Sequence, residues 1–266
     1  MSISNINQKA LKVFNKHGFP HQKNEYWKHT NLKKFQSLKF LQSNNFKHSK
    51  DDFNDFDSLD IPVITIINGK IISYPKDKEI DLLSKKLKNC SDYFYNSFSV
   101  DNLETATNNP FLVLNTAYFS DGVYLKMNQN FNNVLIRIIS NNSSKKLESS
   151  YSRIYIDTEK QSHSKIFLHH IGVNKDENYY KNNVLSINAN KNSNVSILNI
   201  YEESSKSYSM NNIILNQSKD SNIKQSSIYL SSGFMRTDIK NNLNEKGSSS
   251  LIDALFLGKK NQFIDN

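Results

Sequence analysis

The chain has 266 residues, a formal net charge of +9 and 37% hydrophobic residues, and it includes 16 phenylalanines and 13 tyrosines. This length allows a substantial core, and the aromatic content excludes a wholly disordered polar chain. No run approaches the roughly 20 apolar residues of a membrane span, and the N-terminus lacks the apolar segment of a secretory signal. We therefore expect neither a membrane partner nor secretion.

The positive charge is concentrated at one end of the chain. Residues 1–50 contain ten lysines and one acidic residue, Glu25, whereas the remainder has equal numbers of basic and acidic residues. Such a basic end can bind nucleic acid, an anionic membrane or an acidic protein surface, or it can be a solvated helical face. Because residues 1–50 contain no arginine and no nucleic-acid motif, we favour the solvated face, and a nucleic-acid-binding module is kept as an alternative.

The first predicted element is a helix. Apolar residues from Ile6 to Phe14 recur at the 3.6-residue spacing of an amphipathic helix, and Gly18 and Pro20 are typical of its end. Trp27, the only tryptophan, is predicted to pack in a core.

Residues 43–58 mix Asn, Lys, Asp and Ser with isolated Phe, which predicts a loosely held connector. A hairpin is then predicted over residues 62–74, where two β-rich runs flank Asn68 and Gly69. This pair favours a type I′ turn because both of its positions need positive φ.

Helical spacing returns from about residue 80 to 119. Ile80, Leu83 and Leu87 are predicted to share one helical face, and Pro110 is predicted to open a further helix that carries Phe111. Residues 1–120 are therefore predicted to form a mixed α/β N-terminal region.

After Gly122 the sequence predicts a series of short strands. Asn- and Ser-rich turns separate apolar runs near 123–127, 133–139, 151–156, 165–171, 184–188, 195–201, 212–215, 223–230 and 251–257. A sandwich, a barrel and a β-helix all remain possible from this pattern alone.

A repeat favours the β-helix among these three folds. Similar polar turns precede Val195, Ile223 and Ser249, at spacings of 28 and 26 residues, which is about one coil of a solenoid. Stacked coils would align Asn and Ser side chains into hydrogen-bonded ladders. The predicted fold class is mostly β, with a right-handed parallel β-helix over residues 121–266 after the mixed α/β region.

No catalytic motif is present. His169 and His170 are adjacent, so a strand would point them to opposite faces and keep them from sharing one metal ion. Cys90 is the only cysteine, which excludes an intramolecular disulfide and favours the cytoplasm. The residues directly beside it, Asn89 and Ser91, are neither histidine nor a cation that would favour a thiolate. One thiol cannot supply the usual ligands of an iron–sulfur cluster.

A carbohydrate-active β-helical enzyme or an adhesin is a further alternative. Such an enzyme would display a row of acidic residues along one coil face. The acidic side chains here are scattered and are predicted to be solubilising turn residues: Asp157, Glu159, Asp176, Glu177, Glu202 and Glu203. We therefore expect no enzymatic activity, and we predict no catalytic, cofactor-binding or metal-binding residue.

Two stretches resemble the SufB/SufD family of the Suf iron–sulfur cluster assembly system, and within it the SufD branch. The first comprises residues 17–20 and 24–32 and is similar to the family's Gly-Phe/Leu-Pro followed by Glu-x-Trp-Lys/Arg-Tyr-Thr-x-Leu, with His29 in place of the tyrosine. The second and more specific stretch, residues 109–124, is similar to Phe-x-x-Leu-Asn-x-Ala-x-x-x-x-Gly. Further similarity lies at Gly233, Arg236, Asp238, Gly247, Gly258 and residues 262–265.

The resemblance implies a helical N-terminal region followed by a right-handed parallel β-helix. It also implies a non-enzymatic scaffold in a SufB–SufC–SufD-type complex, with a SufB-like paralogue and a SufC-like ATPase as partners. An iron–sulfur cluster and flavin are expected only at the level of that complex. The core at residues 121–266 is expected to be incomplete at its C-terminus. The family's final β-helix coils and its C-terminal helical region, which carries the SufC contact and the proposed cluster residues, are expected to be missing after Asn266.

Overall fold

The computed structural model of the protein describes residues 2–20, 23–43, 60–88, 94, 97–98, 100, 103–142, 146–259 and 262–266. Its helices are α1 Ile3–His17, α2 Lys33–Gln36, α3 Leu83–Lys88, α4 Leu103–Asn108 and α5 Pro110–Tyr118, with a 3-10 turn at Glu25–Trp27. The predicted connector at residues 43–58 lies outside the described residues except for Ser43.

The described strands fall into an N-terminal group and a serial group. The first comprises β1 Leu41–Gln42, β2 Val63–Ile67, β3 Lys70–Ser73 and β4 Ile80–Leu82. The second comprises β5 Val123–Met127, β6 Asn133–Ser140, β7 Glu148–Thr158, β8 His163–Gly172, β9 Tyr179–Ala189, β10 Asn194–Glu202, β11 Tyr208–Gln217, β12 Asn222–Ser231, β13 Phe234–Leu243, β14 Ser249–Phe256 and β15 Phe263–Asp265.

The serial strands alternate between two sheets. Sheet A has the order β15-β13-β11-β9-β7-β5-β4, with β1 beside β7, and sheet B has the order β14-β12-β10-β8-β6-β2-β3. Every pairing among β5–β15 is parallel. Each odd strand with the next even strand therefore forms one coil of a parallel β-solenoid of about five turns, which confirms the predicted fold class. The right hand of the winding and the boundary at residue 120 stay predictions.

Turn residues of successive coils stack in the left-handed backbone region. Gln161, Asn192, Asp220 and Gly247 have φ of 60°, 60°, 55° and 75°, and each of the first three donates its N–H to a carbonyl of the next turn at 3.0 Å. The predicted repeat of coils is therefore confirmed, but the second of its two predicted spacings is wrong. Val195 pairs with Ile223 as predicted, but Ile223 pairs with Ser250, so the second spacing is 27 residues rather than 26.

The helical N-terminal elements agree with the sequence except at one point. Ser2 caps α1, which ends at Gly18 with φ 68°, and α5 begins at Pro110. The predicted helical face of Ile80, Leu83 and Leu87 is wrong at Ile80. This residue belongs to β4 and pairs with Leu125 of β5, so it packs in the solenoid interior.

One apolar cluster joins the two sheets of the solenoid, and a second joins the N-terminal region to the solenoid. The interior of the solenoid is filled by aliphatic side chains of both sheets, such as Ile136, Ile156 and Leu168. An aromatic cluster that includes Trp27 packs the N-terminal region against the outer face of sheet A. Asn115 of α5 is fully buried there and donates to the carbonyls of Ser152 and Asn182 at 3.1 and 2.8 Å.

Within the described part of the chain, no helix has the length and apolar character that crossing a membrane requires.

Candidate functional site: the open edge of the solenoid and its clasp

Strand β14 forms an open edge of sheet B and carries apolar side chains on both of its faces, with Asp253 between the two outward leucines. Leu251 and Leu255 point outward and are 56% and 53% exposed. Ile252 and Phe256 pair with Gln225 and Tyr229 of β12, so their side chains point toward the solenoid interior. They are nevertheless exposed, because no described strand pairs with β14 on its far side. A strand with two apolar faces is typical of a strand that is buried on both sides. We define β14 with Leu257 as the open edge.

A column of stacked rings runs through sheet B to this edge. His170 stacks on Tyr201 at 4.3 Å between ring centroids, Tyr201 on Tyr229 at 4.8 Å, and Tyr229 on Phe256 at 4.7 Å. Their planes deviate by 16° or less, because equivalent positions of successive coils lie directly above one another. Phe256 is 46% exposed at the end of the column. It presents a ring face on which a partner's aromatic side chain can stack.

Behind the edge of sheet A, the guanidinium of Arg236 holds three segments together. It donates to Asp238 Oδ1 at 3.0 and 2.8 Å and to Asp265 Oδ2 at 2.7 Å. It also donates to Thr30 Oγ1 at 2.7 Å and lies 4.0 Å from the ring centroid of Trp27. These five residues are called the clasp. Burial raises the pKa of Asp238, and the charge of Arg236 opposes that rise.

The clasp unites residues that are far apart in sequence but carry the resemblance stated above. Trp27 and Thr30 belong to its first stretch, and Arg236, Asp238 and Asp265 belong to its C-terminal part. Trp27 also donates through Nε1 to the carbonyl of Asn108 at 2.8 Å, immediately before the second stretch. The clasp therefore fixes the N-terminal region to β13 and β15, beside the open edge.

A second polar cluster lies inside the solenoid. Lys181 of β9 forms an ion pair with Glu203, and both side chains are at most 1% exposed. Tyr179 donates to Glu203 Oε2 at 2.6 Å, and Lys181 Nζ lies 3.2 Å from His170 Nδ1. The prediction that Glu203 is a solubilising turn residue is wrong, because its carboxylate is buried in this cluster.

The two adjacent histidines point to opposite faces, as predicted. His170 is buried, and burial with the nearby charge of Lys181 holds its pKa well below the usual value. His169 points outward, with Nε2 at 3.4 Å from Glu202 Oε2. Partial burial lowers its pKa, and Glu202 opposes that shift. Among the residues that the structure describes, no group of three or more His, Cys, Asp or Glu side chains is arranged to hold a metal ion.

Two further acidic residues form ion pairs with nearby lysines, and the lysines of the basic N-terminal end are exposed to solvent. Glu159 pairs with Lys126 at 2.6 Å, and Glu202 pairs with Lys175 at 2.6 Å. Every described lysine within residues 1–50 is exposed, which fits a solvated face. Cys90 lies outside the described residues.

A groove of about 750 Å³ follows the outer face of sheet A beside α3. Its floor is a hydrogen-bonded ladder of one side chain per coil, within strands β7, β9, β11 and β13. Asn188 donates to Asp157 at 2.8 Å, Asn216 to Asn188 at 3.0 Å, and Asn242 to Asn216 at 2.8 Å. The ladder predicted at the turns is a separate one, in which Asn222 donates to Asn194 Oδ1 at 3.3 Å and Ser249 donates to Asn222 Oδ1. Tyr124 and Tyr155 line the groove but are buried, so they offer no ring face to a ligand.

Comparison with known proteins assigns the whole chain. Residues 1–138 match the family model described as the SufBD protein N-terminal region. Residues 138–266 match the one described as SUF system FeS cluster assembly, SufBD core domain. No curated protein matches the chain. Since the N-terminal model alone covers more than half of the residues, and the solenoid is the part that matches the core domain, the chain belongs to the SufB/SufD family and has a role in iron–sulfur cluster assembly by the Suf system.

Proposed function

We propose that the protein is a SufD-like, non-catalytic scaffold subunit of a cytoplasmic SufB–SufC–SufD-type complex. In this proposal its partners are a SufB-like paralogue and a SufC-like ATPase. The iron–sulfur cluster is the cargo of the assembly, and its ligands come from more than one chain. The observation that carries the proposal is the open edge, which presents apolar side chains on both faces in a member of this family.

The chemistry of the open edge supports a protein partner. An exposed strand edge has unpaired N–H and C=O groups that can pair with another strand, and natural proteins usually protect such edges with lysine, proline or a covering element. Strand β14 contains neither lysine nor proline. Leu251 stands where earlier coils have the polar residues Ser196 and Lys224, and Leu255 continues an outward apolar row with Ile200 and Ile228. A partner that covers the outer face would bury these leucines.

The scaffold role is supported by what the charged side chains do. Glu159 and Glu202 lie in ion pairs with lysines, and the deeply buried Glu203 is neutralised by Lys181. Flavin is proposed only at the level of the complex. Because the tyrosines of the sheet A groove are buried, we assign no described residue to flavin.

Co-expression tests the proposal. The tagged chain, and a version extended through the downstream coding sequence, would be expressed with the SufB-like and SufC-like proteins of the same genome and recovered by affinity. We expect the extended form to recover both partners. We expect the double variant Leu251→Asp/Leu255→Asp to lose the SufB-like partner, because a charged strand face resists burial.

The matched control places the same two charges on the same sheet face away from the edge, as Asn194→Asp/Ser196→Asp on β10, two strands from β14. This control should retain the SufB-like partner. If folded forms of both lengths recover neither partner, the proposed complex is wrong, although the family assignment stands. If the edge variant binds as well as the control, the partner lies elsewhere on the molecule.

A further inference from the structure

A small cavity lies inside the solenoid, between the two sheets. It measures about 10 Å³, which is the space open to the centre of a water-sized sphere. The polar residues that line it are His170, Asn183, Asn199, Tyr201, Asn211 and Asn212, and each is at least nine-tenths buried. The cavity therefore belongs to the interior and is separate from the open edge and the outer groove.

Two of these polar side chains have an amide donor without a partner, Asn199 and Asn212. Asn212 lies on the outward side of β11, where its Oδ1 accepts from Asn109 Nδ2 at 2.6 Å, so Asn199 supplies the inward donor. Asn199 of β10 is 1% exposed, and its Nδ2 bonds to no described residue. The amides of sheet A are already engaged, since Asn183 donates to Asn211 at 2.9 Å and Asn211 donates to Ser209 at 3.3 Å. A buried donor that makes no hydrogen bond costs about 1–3 kcal/mol, so the Asn199 amide requires an acceptor at this place.

The imidazole of His170 supplies a second donor at the cavity wall. Its Nδ1 lies 3.2 Å from the ammonium of Lys181, which has only hydrogens to give, so Nδ1 accepts. The neutral imidazole then carries its hydrogen on Nε2. The lining thus combines amide and imidazole donors with the amide oxygens of sheet A. Both kinds of group are needed to hold a molecule that accepts and donates hydrogen bonds.

We propose that this cavity is a binding site for one water molecule, held by Asn199 Nδ2 together with polar groups of Asn183, Asn211 or His170. The volume matches a single water, which needs about 10–15 Å³ by this measure and two to four polar partners. The bound water links β10 of sheet B to β9 and β11 of sheet A. It thereby connects the Lys181–Glu203 cluster to the interior amides and helps to fix the register of the three middle coils.

A high-resolution crystal structure of the protein tests the site directly. We expect one ordered density peak within about 2.7–3.2 Å of Asn199 Nδ2 and of at least one further polar atom. We expect the peak to be lost in Asn199→Leu, whose methyl groups fill the space, and to be retained in Asn199→Ser, which keeps a polar wall.

Three results would overturn the proposal. One is a wild-type cavity with no peak, and another is an Asn199 amide that bonds directly to a protein acceptor. The third is a peak that persists unchanged in Asn199→Leu. The wild-type structure alone decides between the first two results and the proposal, so the test does not depend on the folding of either variant.

Discussion

Lys181 and Glu203 occupy inward positions of the solenoid, where the strand alternation would normally place apolar residues. Each of these charges is compensated by the other and by Tyr179 and His170. Burying such a pair gives little net stability, but removing one partner leaves an uncompensated charge. No local sequence pattern predicts this pair, because Lys181 and Glu203 are 22 residues apart and come together only through the stacking of the coils.

The buried His170 makes stability depend on pH. Its folded-state pKa lies well below the usual value, because burial and Lys181 disfavour the imidazolium, while the unfolded chain binds a proton near pH 6.5. The unfolded state therefore binds more protons below that pH, and stability falls as the pH falls from about 6.5 towards the folded pKa. The slope contributed is at most about 1.4 kcal/mol per pH unit.

The variant His170→Phe keeps the ring that stacks on Tyr201 and removes the titration. Its free energy of unfolding, measured with urea at several pH values between about 7 and 5, should decline less than that of the wild type. His163→Gln, at an exposed position of the same strand, serves as the control and should follow the wild type. Equal declines in His170→Phe and the wild type would show that His170 does not titrate as described.

The second prediction at the scale of single residues concerns the stability that the clasp contributes. Arg236→Met should destabilise the protein by about 3 kcal/mol, because it leaves the partly buried Asp238 and Asp265 without their cation. Arg236→Lys should lose less, since it keeps the charge but lacks the planar fork and the stacking on Trp27. Urea denaturation measures both variants. An Arg236→Met midpoint equal to that of the wild type would contradict this account of the clasp.

At the scale of elements, the hairpin β2–β3 was predictable because its turn has a strong local signal. Asn68 and Gly69 adopt φ of 47° and 81°, as the Asn-Gly pair predicts. Gly69 also lies against the backbone of Tyr151, where an added Cβ would come within 2.7 Å of a carbonyl oxygen. The position thus excludes a side chain for two independent reasons.

Gly69→Ala should therefore destabilise the protein by about 1–3 kcal/mol, the cost of one strained backbone position. Gly258→Ala is the matched control, because an added Cβ there meets no atom within 4 Å. Thermal unfolding monitored by circular dichroism compares the two. Similar melting temperatures for both variants would mean that the turn tolerates a side chain and that the described approach to Tyr151 is incorrect.

Strand prediction succeeded where apolar alternation was intact and failed where polar side chains had partners distant in sequence. Each of the nine predicted runs overlaps a strand. Strand β13 was missed because Arg236, Asp238 and Lys240 interrupt its apolar pattern, and two of these residues belong to the clasp. The clasp itself was visible only as separate positions of resemblance. Its contact between Thr30 and Asp265 spans 235 residues, which no local pattern can reveal.

At the scale of the whole molecule, the two ends of the solenoid differ. The first coil is bordered in sheet A by the antiparallel strand β4 and in sheet B by β2, which pairs in parallel with β6. The antiparallel strand β3 then pairs with β2 and ends the parallel stacking. The other end has the open edge, with its exposed leucines and Phe256. The helical region lies on the outer face of sheet A and is fastened by the clasp beside that end. The arrangement places the apolar side chains of β14, which has no described strand on its far side, next to the clasp.

The most direct test of this account is hydrogen–deuterium exchange of residues 249–257, in the protein alone and in its co-purified complex with the SufB-like paralogue. In the free protein we predict rapid exchange of the β14 amides that point away from β12, because only alternate amides of this strand bond to β12. We predict strong protection of the same amides in the complex, with little change in β8 and β10. Unchanged exchange at residues 249–257 in a complex that is fully bound would contradict the claim that the open edge is the partner interface.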